Sequence, residues 1–247
     1  MDGTRGLGAT GTGRRAGVGV RPARRGRVGQ EHREGAADER SKSFQLNNKM
    51  YIIDGKKMLV YDGETLSPAS SVAYIPTLTI AKAPSGGGTQ YEALNLIQAG
   101  FTEKFQGTEK DKEYQLTFGN LDATTVEVRI MDENGDFVEK TENTDFTVDR
   151  TTGIVTFTTV PGKSPVTGED NVVITAYRTV DGYADRVNKC TFGILYGVNG
   201  AADRLFISGN PDFKNYDWYS QQYDPTYYPD TAYSVLGTTN SAVMGYS

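Results

Sequence analysis

The chain has 247 residues, 37% hydrophobic and 11% aromatic, with 15 Tyr and 29 Gly. Its net charge of −5 is uneven: residues 1–42 carry nine Arg and one Lys against five acids, a net of +5, so the rest carries −10. An acidic body repels phosphate, which excludes general nucleic-acid binding there; no apolar run approaches the roughly 18–20 residues that span a bilayer, so no membrane partner is expected; and a single cysteine excludes an intrachain disulfide.

Residues 1–42 hold ten glycines and no Phe, Tyr, Trp or Ile. Such a segment buries too little apolar area to offset its ordering entropy, so it is expected to be a disordered basic leader. Composition changes abruptly near Ser43, as at a misassigned start. The leader holds His32, the only histidine. The remainder is therefore expected to lack His-based acid–base catalysis, His-ligated metal and, for Ser208, Ser220 and Ser234, a Ser-His-Asp triad.

Residues 43–100 read as a blade-like β segment with a connector. Met50–Ile53 and Met58–Tyr61 flank Asp54-Gly55, and Asp62-Gly63 follows; Asp-Gly steps supply the positive φ of tight hairpin turns. Val72–Ile75 reads as a further apolar stretch stopped by Pro76, and Leu78–Ile80 as a short strand. Ser85-Gly86-Gly87-Gly88-Thr89 is a turn: it lacks the Lys-Ser/Thr end of a phosphate-cradling loop. Tyr91–Ile97 reads as a helical turn or an extended connector.

Residues 101–180 hold six or seven short segments divided by turn signals, the pattern of a small β-sandwich or barrel. Glu113–Phe118 alternates. Thr125–Met131 alternates strongly and puts Val126, Val128 and Ile130 on one face. Phe137–Lys140, Phe146–Asp149, Ile154–Thr158 and Asn171–Tyr177 follow. Asp132-Glu133-Asn134-Gly135-Asp136 has the flavour of a calcium loop but lacks its bidentate Glu at position 12, so a solvated turn is expected.

Residues 181–247 read as a second blade-like segment. Asp185–Tyr196 is a strand candidate in which Cys190 sits as an inert small hydrophobe. Arg204–Ser208 is another strand. An aromatic loop, Phe213–Tyr228, follows. Tyr233–Gly237 and Ser241–Tyr246 close the chain, the last as a strand cut short.

Two stretches carry a family resemblance. Thr144–Asp149, Thr152–Phe157 and Asn171–Tyr177 form an aromatic strand, a Thr-Thr-Gly turn, a Val/Thr/Phe strand and a final Val/Ile strand. This resembles a small β domain common in bacteriophage tail and virion proteins. Asp203–Pro211, with Asn215–Tyr219 and Asp224–Tyr228, resembles phage virion proteins of the tail or head–tail connector, whose body is a β-propeller. The resemblance implies an all-β chain: partial propeller-like blades at 43–100 and 181–247, with a small β-sandwich inserted at 101–180. It also implies a non-enzymatic structural protein of the virion, made in the host cytoplasm and assembled with other virion subunits in a homo-oligomeric ring. It brings no catalytic residue, metal or cofactor.

Tyr and Trp bury much area at low conformational cost and are enriched at interfaces. The expected interface anchors are therefore Trp218, Tyr216, Tyr219, Tyr223, Tyr227 and Tyr228. The same loop, with Asp217, Asp224 and Asp230 among its rings, supports two alternatives: a carbohydrate-binding or adhesive module with a glycan as partner, and a glycoside-degrading enzyme built on paired carboxylates.

Overall fold

A computed structural model describes residues 41–246. His32 and all but the last two residues of the basic leader lie outside the described residues. Among the described residues the fold is all-β, in four separate sheets, none of them closed. Among the described residues no helix is long and apolar enough to cross a membrane.

The first sheet is an antiparallel meander of β1 (Lys42–Leu46), β2 (Lys49–Ile53), β3 (Met58–Tyr61) and β4 (Leu66–Pro68), in that order. The expected hairpin is β2–β3, with Tyr51 opposite Val60 and Ile53 opposite Met58. Asp54 builds its turn by accepting bonds from the amides of Lys56 and Lys57. Strand β1 was not expected. Its turn is Asn47-Asn48, both at positive φ (52° and 59°), which is the geometry of a two-residue hairpin turn and one that Asn tolerates. Val72–Ile75 is not a strand. Val72 and Tyr74 are exposed there, and the Pro ahead denies the stretch a ladder.

The middle of the chain is a two-layer sandwich. Its larger layer contains β5 (Thr77–Lys82), β6 (Thr89–Gln90) and β7 (Gly100–Phe105); its smaller layer begins with β8 (Glu113–Gln115). Next come β9 (Glu127–Met131), β10 (Phe137–Lys140), β11 (Phe146–Asp149), β12 (Ile154–Phe157) and β13 (Val172–Tyr177). The six-stranded layer runs β10-β9-β13-β7-β5-β6 and the three-stranded layer β11-β12-β8. Val126, Val128, Phe101, Phe105, Val172 and Ile174 from one layer meet Tyr114, Leu116, Phe146, Val155 and Phe157 from the other. Edge-to-face ring contacts, such as Tyr114 on Phe157 at 5.1 Å, fill the middle. Strands β5 and β6, which the sequence places with the first blade-like segment, are part of this sandwich, because β5 pairs with β7 in parallel.

Between β6 and β7 the chain leaves the sandwich. Tyr91–Ala99 is the extended connector rather than a helical turn, and Leu96 and Ile97 enter a second core. Its other walls are the first sheet, a short helix α1 (Tyr183–Asn188), and the last sheet. That last sheet is again an antiparallel four-stranded meander: β14 (Phe192–Tyr196), β15 (Arg204–Ser208), β16 (Tyr216–Tyr219) and β17 (Tyr233–Val235).

Two expectations fail here. Asp185–Tyr196 is a strand only from Phe192: Tyr183 and Val187 are four apart and turn one face of α1 to the core. Ser241–Tyr246 forms no strand, yet it is tied down. The Val243 amide donates to Lys214 O, and the Tyr246 ring packs edge-on against Phe192 at 5.7 Å.

Candidate functional site

Strand alternation in the last meander decides which aromatics face outward. Leu205, Ile207 and Trp218 point to the core. Phe206 therefore points out, and it pairs with Ile194 on one side and Tyr219 on the other. Three of the six expected anchors fall on the inner side or beneath the sheet. Trp218, Tyr227 and Tyr228 are buried within the chain and present no surface to a partner. Trp218 stacks on Tyr216 at 5.4 Å and meets Phe213 edge-on at 5.7 Å. The Tyr227 hydroxyl donates to Ala93 O and that of Tyr228 to Leu205 O. Their polar tips are thus spent internally, and truncating Trp218 removes core packing, a change that costs about 3–5 kcal/mol of stability.

Of the others, Tyr216 is half-buried against Trp218 and Tyr233. Tyr219 is half-buried on the outer face, 5.4 Å from Phe206. Tyr223 alone is well exposed, at 56%. It is also held in the left-handed region at φ 59°, a conformation uncommon for a bulky side chain and costing about 1–3 kcal/mol.

The outer face of the meander has two halves. Over one half lies the C-terminal segment. The Tyr246 hydroxyl donates to Asp217 Oδ1 at 2.5 Å, and Ser208 Oγ lies 2.9 Å from that hydroxyl and 3.1 Å from the same carboxylate oxygen. Burial pushes the Asp217 carboxyl above its usual range, against the lowering effect of these hydrogen bonds. Cys190 is buried on the inner side, its thiol 3.2 Å from Arg186 O and pushed up by burial first and the Asp217 charge second. It lies just past α1 rather than in a strand.

The other half is open. Tyr196, 61% exposed, meets Phe206 edge-on at 6.0 Å, and Phe206 meets Tyr219. The Arg204 guanidinium lies 5.9 Å from the Tyr219 ring centroid. With Gln222 and Tyr223 these residues line a depression of about 600 Å³. Asp203 supports it from below: Gln222 Nε2 donates to Oδ2 at 2.7 Å. Tyr196, Arg204 and Phe206 were not singled out from the sequence. The signal was present in Arg204-Leu205-Phe206-Ile207, where period 2 sends Phe206 to the side opposite Leu205 and Ile207.

The three carboxylates of the aromatic loop sit in different local settings. Asp217 is closed over by Tyr246. Asp224 accepts from Thr226 N at 2.9 Å and Thr226 Oγ1 at 2.6 Å, capping its own turn. Asp230 is tied through its amide to Leu94 O. Asp132 likewise accepts the amides of Asn134 and Asp136 at the tip between β9 and β10.

Comparison with known proteins finds no matching family model, no matching curated protein and no matching solved structure.

Proposed function

We propose that this chain is a non-enzymatic structural subunit of a phage virion, of the tail or head–tail assembly, that works by packing its open sheet face against a neighbouring subunit. The observation that carries the proposal is the half-covered outer face of the last meander. Tyr196, Phe206, Tyr219 and Arg204 are residue types that anchor interfaces, and here they lie side by side on a rigid sheet. The C-terminal segment shields the adjoining half of the same face and leaves this half bare.

The resemblance of Thr144–Tyr177 to small virion β domains supports the class. The two four-stranded meanders support a partial propeller: each has the strand number and order of a blade. In that reading the sandwich interrupts the blades, and a second copy supplies the missing neighbour in a ring.

Light scattering after size exclusion tests this. The native chain should elute as an oligomer, with rings or tubes in negative-stain micrographs. Tyr196→Glu should shift it to monomer without lowering the melting temperature, because Tyr196 contributes little to the core. A native chain that stays monomeric at every concentration, or a Tyr196→Glu variant that assembles normally, overturns the proposal.

A further inference from the structure

A second cleft, of about 400 Å³, opens where the β1–β2 turn, the Val72–Tyr74 stretch and the Tyr223–Thr226 loop meet. Its volume lies within the range of small-ligand sites. Three groups on its wall keep hydrogen-bonding capacity that the fold does not use. Tyr51 is only 2% exposed, yet it lines the cleft and its hydroxyl makes no hydrogen bond to any described residue. Its ring is packed into the second core, and its hydroxyl reaches the surface of the cleft. Lys49, also on the wall, forms no ion pair among the described residues. Asp224 spends Oδ1 on Thr226 and keeps Oδ2 without a described donor.

The aromatic walls are held in place. Tyr74 lies 41% exposed with its hydroxyl 3.1 Å from both Glu92 carboxylate oxygens. The strained backbone of Tyr223 is clamped on both sides: its amide donates to Asp203 O, and its carbonyl accepts from Asn47 Nδ2. The ring is thereby held outward at the rim.

From this arrangement we infer that the cleft binds a neutral saccharide, one pyranose ring entering between Tyr74 and Tyr223 with its hydroxyls on Tyr51, Lys49 and Asp224. A pyranose offers apolar C–H faces and a rim of groups that both donate and accept. The cleft offers ring faces, two donors (the Tyr51 hydroxyl and the Lys49 ammonium) and one acceptor in the Asp224 carboxylate. Burial first, and the Asp224 charge second, push the Tyr51 phenol up to about 12, so it stays a donor at neutral pH. A phosphate ligand would meet the Asp224 carboxylate. The cleft shares Tyr223 with the depression on the Tyr196 face, but Tyr51, Lys49 and Tyr74 line the cleft alone, so Tyr51→Phe and Tyr196→Glu distinguish its failure from that of the assembly proposal.

Saturation-transfer NMR of the full chain with glucose, galactose, mannose and N-acetylglucosamine, and a glycan array of neutral oligosaccharides, test the inference. The native chain should receive signal from at least one sugar or bind at least one neutral glycan. Binding to free monosaccharides indicates that one ring fills the site; binding on the array alone indicates that a longer chain is needed; either supports the inference. Tyr51→Phe removes one hydroxyl, should leave the melting temperature unchanged and should weaken binding at least tenfold. Tyr223→Ala should abolish it. No binding by the native chain in either format, or a Tyr51→Phe variant that folds and binds as the native chain does, overturns it.

Discussion

Asp62 accepts the amides of Glu64 and Thr65 and the Thr65 hydroxyl, closing the turn between β3 and β4. These bonds, the Thr65 amide first and the Glu64 amide second, hold its carboxyl down at about 2. Asp149, led by Thr152, and Asp132, led by the Asp136 amide, are lowered in the same way at their own turns. A carboxylate whose folded pKa lies below its unfolded value stabilises the fold above the unfolded value, and that contribution is lost as pH falls through the folded one. For Asp62 the window runs from about pH 4 down to about pH 2. Asp62→Ala should therefore lower the melting temperature at pH 7 and flatten its fall between pH 4 and pH 2. Thermal melts at pH 7, 4 and 2 check this; an unchanged acid slope counts against it. These turns were legible because Asp-Gly and Asx chemistry is local. Trp218 was not, because seven rings in one loop look like a surface. Only the two-residue alternation of Tyr216-Asp217-Trp218-Tyr219 distinguishes its inward side chains from its outward ones.

At the scale of elements, the feature least visible in sequence is an ion pair inside the sandwich. Lys82 and Glu103, 2% and 0% exposed, face each other from neighbouring strands β5 and β7 with Nζ 2.5 Å from Oε2. The Lys82 ammonium also lies 3.0 Å from Thr117 Oγ1 and 5.1 Å from the Phe105 ring centroid, while the Thr117 amide donates to both Glu103 oxygens at 3.2 Å. The register of β5 on β7 is irregular just before Lys82, and Ala81 has φ 52°. Such an irregularity re-aims a side chain, and no local pattern in Thr77–Lys82 announces it. Removing one member of a buried pair strands the other charge and typically costs about 3–5 kcal/mol, whereas replacing both with apolar groups is often near neutral. Lys82→Met should therefore cost about 3–5 kcal/mol in denaturant unfolding. Lys82→Met with Glu103→Leu should recover most of that loss, and two single losses that simply add would contradict the pairing. Helix α1 was missed for a related reason: Asp185–Tyr196 joins a six-residue helix to a five-residue strand, and its apolar residues fit neither period throughout.

For the whole molecule, the question is what makes two cores behave as one. Sequence separates the middle of the chain from its flanks well, since turn signals and alternation are dense from Glu113 to Tyr177. It does not show that the chain returns to the flanking core through Tyr91–Ala99. That return is fixed by one buried side chain. Asn95 Nδ2 donates to Tyr74 O at 2.9 Å and Thr226 O at 2.8 Å, and its Oδ1 accepts from the amides of Tyr228 and Ile97. Around it, Leu96 N donates to Tyr228 O and Asp230 N to Leu94 O. The connector is thus bonded to the far end of the aromatic loop, 131 residues on. At the other crossing, Arg178 N donates to Ala99 O, so both connectors leave the sandwich side by side. Asn95→Leu keeps the volume but orphans several buried backbone groups, each worth about 1–3 kcal/mol. The loss falls on the junction and not on either apolar core. Calorimetry of the native chain should show one cooperative transition, and Asn95→Leu should split it into two, with the calorimetric enthalpy exceeding the van't Hoff enthalpy. A single transition, merely shifted to lower temperature, would mean that the cores are coupled by packing elsewhere and that Asn95 only adds stability.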